Sequence, residues 1–296
     1  MKLKILLPVM IIGFFSGNAF AQNDVSKING LLEDFSIELS NVLPNASVQT
    51  NTYSDAWIGK FFPSVPMHFA VGIDGGITSV DISSIKKAGE MVNILSIPDS
   101  FLFPTVNFNA KIGGLFLPFD VGASFAVLDT TKLGKSLDKI DLEYLSAGGN
   151  LRYAILQGTG PLPKLSIGAG FYYTKGSIGK SNSGFGINTE YEVKTFVAET
   201  QLSKTIVFFT PFIGFRGIWS EVDADSSWKS SAGLSNGSAT VNSGGVSYKT
   251  KPGDNFIPQV FGGFGFKLGV VQLDVNATYD LTNQIWGTGA SLRFQL

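Results

Sequence analysis

The sequence predicts an all-β fold: a transmembrane antiparallel up-and-down β-barrel of about ten strands, preceded by one short amphipathic helix. Three observations predict it. Apolar and polar residues alternate with period two over most of the chain after residue 67. Hydrophobic residues make up 44% of the chain, yet beyond Ala21 no apolar run approaches the roughly 18 residues of a membrane-crossing helix, so any crossing is made by strands. The chain also carries 35 glycines and 25 phenylalanines. A closed barrel uses glycine where strands bend and aromatic residues where the wall meets the membrane interfaces.

The first residues have the order of a secretory signal. Lys2 and Lys4 precede an apolar run from Ile5 to Phe15, and Ala19 and Ala21 flank Phe20 as in a cleavage site. The run is too short to span a bilayer at about 20 residues. Residues 1–21 are therefore expected to be removed, leaving Gln22 first in a mature chain of about 275 residues, within the range of one large all-β domain. Residues 22–66 are expected to form a periplasmic or plug segment. Within it Ile28, Leu31, Leu32, Phe35, Leu39, Val42 and Leu43 recur at helical spacing, which predicts a helix from Val25 to Leu43 stopped by Pro44. A Pro- and aromatic-rich connector follows, from Tyr53 to Pro66.

The barrel is expected over residues 67–296. The first strand sets Phe69, Val71, Ile73 and Ile77 against Ala70, Asp74 and Thr78. The second sets Val106, Phe108, Ala110 and Ile112 against Asn107, Asn109 and Lys111. The third sets Phe119, Val121, Phe125 and Val127 against Asp120 and Ser124. In the fourth, Leu145, Leu151, Tyr153 and Ile155 oppose Ser146, Asn150 and Arg152. In the fifth, Leu165, Ile167, Phe171 and Tyr173 oppose Ser166, Gly168 and Gly170. The sixth, 187–202, is the least regular, because Glu190, Glu192, Lys194 and Glu199 crowd it. The seventh sets Val207, Phe209, Ile213, Phe215 and Trp219 against Thr210, Gly214, Arg216 and Ser220. The eighth sets Val260, Phe264, Phe266 and Leu268 against Gln259, Gly263 and Lys267. The ninth alternates without a break, Val271, Leu273, Val275, Ala277 and Tyr279 against Gln272, Asp274, Asn276, Thr278 and Asp280. The tenth, 287–296, sets Leu292, Phe294 and Leu296 against Ser291, Arg293 and Gln295, and is expected to close onto the first.

Strands of about 10 to 13 residues suit a tilted membrane crossing, whereas soluble strands cluster near 5–6 residues. The connections alternate as well: 79–104, 129–143, 175–186 and 222–255 read as long, and 113–118, 157–164, 203–205 and 267–270 as short. Only 281–284 breaks the rule. Long connections on one side and short turns on the other is the arrangement of barrels that cross a membrane, and it places both termini in the periplasm. Eight strands follow if the first or sixth fails, and twelve if Ser238–Thr250 forms a hairpin. Pro211, inside the seventh strand, predicts a local bulge or a kink that opens the wall. Trp219 and Trp228 are expected to anchor the 222–255 loop at the interface.

Several chemistries are excluded. A net charge of −1 gives no footprint for nucleic acid. With no cysteine and only His68, neither a thiolate nor a multi-histidine metal site exists. Lys175–Ser181 imitates a phosphate loop but has Thr174 where glycine is required, and it joins strands. His68, at the start of a strand, is poorly placed for catalysis, so no enzyme and no cofactor are expected. The parity of the strands instead collects a lumen-lining set: Asp74, Lys111, Asp120, Arg152, Arg216, Lys267, Asp274 and Arg293, with His68 and Asp280. Such a set either selects solutes or fills the barrel with ion pairs. Phe212, Ile218, Ile257 and Phe261 fall on the same inward faces, which suits a plug or a partly apolar passage.

Together these residues resemble a bacterial outer-membrane β-barrel protein, most nearly the uncharacterised small barrels of this length. The ending, with Gly289, Leu292 and Phe294, resembles the C-terminal signal read by the barrel-assembly machinery, although Leu296 stands where an aromatic residue is usual. The N-terminal helix and Phe-rich strands are similar in architecture to the long-chain fatty-acid transporter class, whose barrels are much longer. The resemblance implies the outer membrane as location, with its lipid bilayer and the assembly machinery as partners. The function expected is a passive channel or transporter for small solutes, hydrophobic ones included. The alternative is a structural or adhesive surface protein acting through the 222–255 loop.

Overall fold

A computed structural model describes residues 6–49, 51–59, 68–91, 99–114, 117–130, 140–181, 184–236, 239–251, 253 and 255–296. Helix α1 (Leu6–Gln49) comes first. Strand β1 (His68–Asp81), helix α2 (Ser83–Met91), β2 (Ser100–Gly113), β3 (Phe119–Asp129), β4 (Asp141–Gln157), β5 (Lys164–Ser181) and β6 (Phe185–Ser203) follow. The last elements are β7 (Phe209–Asn236), β8 (Ala239–Lys249), β9 (Asn255–Leu268), β10 (Val271–Asp280) and β11 (Trp286–Gln295). The start of the signal segment and most of the connector, 60–66, lie outside the described residues.

Ten strands form a closed antiparallel ring, β1 to β7 followed by β9, β10 and β11. The ring closes where Ala70 to Thr78 of β1 pair with Gln295 to Gly287 of β11. Closure leaves no ring strand with an unpaired edge along its whole length, the condition for a sheet to cross lipid. Period-two alternation then sorts the side chains. Ile73, Phe108, Ile213 and Leu292 face outward and stay 50–62% exposed, while Asp74, Asn109, Arg216 and Arg293 face inward and are buried. Aromatic residues mark both edges of the outer apolar band. At one edge Phe119 packs on Tyr153 at 4.9 Å and Phe209 on Phe266 at 5.4 Å. At the other, Phe171 packs on Phe196 at 4.8 Å and Trp219 on Phe256 at 5.1 Å.

Beyond the second edge the outward faces change character. On β6 the outward residues become Lys194, Glu192 and Glu190, and on β7 Glu221, Asp223 and Asp225, each paired in register with its counterpart on the neighbouring strand. This is why the sixth strand looked irregular: its lower half faces lipid and its upper half faces water. Glu199 belongs to neither, because it points inward.

Several expectations are corrected here. The loops 175–186 and 222–255 are largely strand. β5 and β6 pair all the way to Ser181 with Gly186, and glycine and serine are tolerated there because the strands pair along their full length. β7 continues to Asn236 and turns back as β8, so Ser238–Thr250 does form one arm of a hairpin, but β8 stays out of the ring. It pairs with β7 from Asp223 outward, while β9 pairs with the same edge of β7 up to Ser220. Thr250 joins the two, with its N–H on the Val222 carbonyl (2.9 Å) and its Oγ1 accepting from the Val222 N–H (2.7 Å). In the 79–104 connection, α2 forms, and β2 starts at Ser100 with Pro104 seated opposite Ile77.

Pro211 produces neither bulge nor gap. It pairs with Phe264 in an unbroken β7–β9 register, and its carbonyl accepts from the Lys204 N–H at 3.2 Å. It occupies the last rung of the β6–β7 hairpin, where its missing N–H costs one hydrogen bond and no more. Pro44 likewise does not stop the helix, which runs on to Gln49. A proline leaves the carbonyl four residues earlier without its partner, and the Asn255 side-chain amide donates to that carbonyl, Ser40 O, at 2.8 Å. Trp228 is not an interfacial anchor. It is 1% exposed, and its Nε1 donates to Asn29 Oδ1 at 3.0 Å. Finally, the described start of the chain is not at the same rim as its end: α1 enters at the rim of the β7–β8 hairpin, opposite the rim where His68 Nδ1 meets the Leu296 carbonyl (2.9 Å).

Candidate functional site: the occupied lumen and the outer wall

The lumen is taken by the chain itself. In its hairpin-side half, the apolar stripe of α1 (Ile28, Leu32, Phe35, Leu39, Val42 and Leu43) is buried against Phe101, Phe103, Tyr144, Ile187, Val222 and Trp228 of the wall. A helix stripe facing an apolar wall is held mainly by the area removed from water. Deeper in, the polar side chains of the helix end find polar wall residues. Ser47 Oγ donates to Thr195 Oγ1 (3.2 Å), Gln49 Nε2 to Asn276 Oδ1 (3.1 Å) and Asn45 Nδ2 to Asp280 Oδ2 (3.1 Å).

Below Gln49 the chain leaves the helix, and residues 51–58 are buried without exception. This segment carries backbone carbonyls into a closed space, and those need donors. Three buried arginines supply them, one at the helix end and two within the segment. Arg216 Nη1 donates to the Val48 carbonyl (3.3 Å), Arg293 Nη2 to the Thr52 carbonyl (2.8 Å) and Arg152 Nη1 to the Asp55 carbonyl (3.0 Å). Each arginine also holds a carboxylate. Arg216 pairs with Glu199 at 3.0 Å, and Arg293 bridges Asp74 (2.7 Å) and Asp274. Arg152 grips Asp120 in a fork, Nε on Oδ1 at 2.9 Å and Nη2 on Oδ2 at 2.7 Å. Lys164 pairs with Asp55 at 2.6 Å, and Lys111 lies 3.7 Å from Asp120.

Tyr53 sits at the centre of this network. The Arg293 guanidinium lies 3.6 Å from its ring centroid, the Lys111 ammonium 4.4 Å and the Arg152 guanidinium 5.7 Å. Its hydroxyl donates to Asn109, and Asn109 donates to Asp74. The aromatic face turned to several cations is favourable because the ring quadrupole is negative there.

The lumen-lining set thus divides. Asp74, Lys111, Asp120, Arg152, Arg216, Asp274 and Arg293 are brought together around residues 48–58. Asp280 stands higher, accepting from the backbone N–H groups of Thr282 (2.8 Å) and Asn283 (3.0 Å). Lys267, on β9, is half-buried. His68 is at the rim. The residues that sequence reasoning missed are Tyr53, Asp55, Glu199 and Gln201, whose Oε1 accepts from Arg152 Nη1 (3.2 Å) and whose Nε2 donates to the Tyr53 carbonyl (2.6 Å). Glu199 was findable from parity, since Phe196 faces out and every odd neighbour on β6 faces in. Tyr53 and Asp55 follow no period, so no pattern marked them as buried.

Two further features lie on the wall. On the outside, above the lipid band, β3 to β8 form an open concavity of about 740 Å³. Its lining includes Glu143, Glu190, Glu192, Glu221, Asp223 and Asp225, with Lys175, Lys194 and Lys249 among them. Lys194 reaches Glu192 (3.5 Å) and Lys249 reaches Asp223 (2.7 Å). The second feature is a seam. β2 and β3 pair only from Phe108 with Phe125 to Gly113 with Asp120, although both strands continue toward the hairpin rim. Behind it, Phe35, Val80, Ile85, Phe101 and Ile178 line an apolar crevice with only about 20 Å³ free. Among the described residues no group of His, Cys, Asp and Glu side chains is placed to hold a metal ion.

A closed ring of ten strands, apolar outside, polar inside and edged by aromatic residues, defines an outer-membrane β-barrel protein, and this chain is one. No protein-family profile matches its sequence, and a comparison with curated proteins finds no match. Among solved structures it is similar to the outer-membrane protease OmpT from Escherichia coli, at 12% identity and a TM-score of 0.47, over 78% of this chain and 98% of that one. It is also similar to the translocator domain of the autotransporter NalP from Neisseria meningitidis (7% identity, TM-score 0.34, 77% of this chain and 88% of that one). A third is a mutant of the monoaromatic hydrocarbon channel TodX (9% identity, TM-score 0.30, 84% and 98%).

Proposed function

We propose that this protein is a self-sealed outer-membrane barrel that works from its external face, with the tall β5–β8 wall as its recognition surface. The observation that carries this reading is the occupied lumen. Residues 28–49 and 51–58 fill the barrel from one rim to the other, and the arginine contacts pair wall carboxylates with plug carbonyls. Buried ion pairs of this kind resist separation, because removing one partner leaves a charge without compensation. The concavity on the outer wall, by contrast, is open and carries an excess of carboxylates, so the partner it suits bears positive charge.

The test joins two measurements. Full-length protein in planar bilayers is expected to be silent. Intact cells displaying it are expected to bind a polycationic surface, and to lose that binding when Glu190, Glu192, Glu221 and Asp223 are together replaced by the corresponding amides in a barrel that still assembles. Steady conductance by the full chain, or binding unchanged by those substitutions, would sink this reading.

A second reading is supported by the seam between β2 and β3 and the apolar crevice behind it: a transporter of hydrophobic solutes whose path opens when α1 moves. It requires that deletion of 25–59 produce conductance or uptake of an apolar solute. A deleted barrel that folds and stays closed counts against it.

A further inference from the structure

The contacts of residues 29–58 run down the barrel in strict sequence. Asn29 meets Trp228 in the β7–β8 hairpin, Ser40 meets Asn255 at the upper end of β9, and Gln49 meets Asn276 midway along β10. Then Asn51 meets Tyr172 (2.5 Å), the Ala56 N–H reaches Ser203 Oγ at the lower end of β6 (2.9 Å), and the Ile58 N–H reaches Asp120 at the lower start of β3 (2.9 Å). The chain therefore enters at the hairpin rim, passes through the lumen and leaves at the rim where β1 begins.

The membrane orientation follows from the wall. The rim at His68 and Leu296 turns back close to the lipid band by short turns, including 204–208 and 269–270, whereas the opposite rim rises past the band as the charged extension of β5–β8 and carries the longer connections 82–99 and 130–140. In outer-membrane barrels the short turns are periplasmic. Within the described side chains Ser26 and Lys27 are exposed at the outer rim, just ahead of buried Ile28.

We infer that the mature chain threads its own barrel and presents its amino-terminal end, from the region of Gln22 to Lys27, on the cell surface, while Leu296 remains in the periplasm. The first residues to leave the inner membrane thus finish on the far side of the outer membrane. This places a polypeptide end beside the recognition wall, and it is independent of what that wall binds.

The chain has no cysteine, so single cysteines report position without background. Ser26→Cys, Ser243→Cys on exposed β8 and Thr159→Cys in a periplasmic turn are each expressed in the full chain and treated with a membrane-impermeant maleimide. Ser26→Cys and Ser243→Cys are expected to label in intact cells to similar extents, and Thr159→Cys only after the outer membrane is permeabilised. Labelling of Ser26→Cys only with permeabilisation overturns the inference. If Ser26→Cys does not yield a heat-modifiable barrel, Asp24→Cys is read by the same criterion. A folded barrel unlabelled at both positions, before and after permeabilisation, overturns it too.

Discussion

Arg293 of the closing strand lies over the ring of Tyr53, 3.6 Å from guanidinium carbon to ring centroid, while its two terminal nitrogens bind Asp274 and Asp74. One side chain therefore ties together the last strand, the first strand, β10 and the segment inside the barrel. Replacing it with leucine leaves two buried carboxylates facing each other. Arg293→Leu is expected to destabilise the barrel by about 3–5 kcal/mol, read as a lower urea midpoint for loss of heat-modifiable gel mobility. Adding Asp74→Asn and Asp274→Asn is expected to recover part of the loss, since both orphaned charges are then gone. An Arg293→Leu barrel as stable as the parent would show the network to be dispensable.

Gly113 sets the exit of the plug segment. A β-carbon there would stand 1.9 Å from the Ile58 carbonyl oxygen and 2.8 Å from the Asp120 β-carbon. The first neighbour is backbone and cannot swing aside. Gly113→Ala is expected to cost about 1–3 kcal/mol as an overpacking defect, and to speed proteolysis within residues 51–59 while the ring strands stay protected. Uniform protection would mean that the exit can shift freely.

Trp228 holds α1 at the outer rim by one hydrogen bond to Asn29, with its own ring stacked on Phe185 of the neighbouring wall strand β6, ring centroids 6.4 Å apart. Trp228→Phe keeps a ring and removes the donor. The expected loss is about 0.5–1.5 kcal/mol, confined to faster amide exchange around Ile28–Leu32. Exchange accelerated equally at Gln49 would point to whole-helix release instead.

For Pro211, the prediction is of little effect. Its neighbours keep register and its carbonyl is already satisfied, so Pro211→Ala is expected to change stability by no more than about 0.5 kcal/mol and to leave bilayer conductance unaltered. A large change in either would restore the idea that this proline bends the wall.

The ten wall strands were legible because lipid outside and polar contacts inside impose a strict period of two. Arg152, Arg216 and Arg293 were placed inward on that parity alone. Legibility ended where the outer solvent changed: once β6 and β7 rise above the membrane, Glu190, Glu192, Asp223 and Asp225 replace apolar residues, and the pattern resembles a loop. It also ended where another side chain compensates for a local rule, as Asn255 does for the carbonyl freed by Pro44. Such compensation lies 215 residues away along the chain, and no local reading reaches it. Residues 51–58 were hidden for a third reason: an extended segment wrapped on all sides by wall residues has no exposed face, hence no periodicity to read.

The end-to-end seating of β8 and β9 along one edge of β7 has an evolutionary corollary. Because the ring is complete with β9 alone, β8 is not needed for closure, whereas β7 beyond Ser220 still pairs with β6 and packs Val222 and Trp228 on α1. Lineages could lengthen, shorten or rewrite β8 two residues at a time without renegotiating the barrel, so sequence drift would concentrate there. The same property makes β8 a natural graft point for foreign peptides.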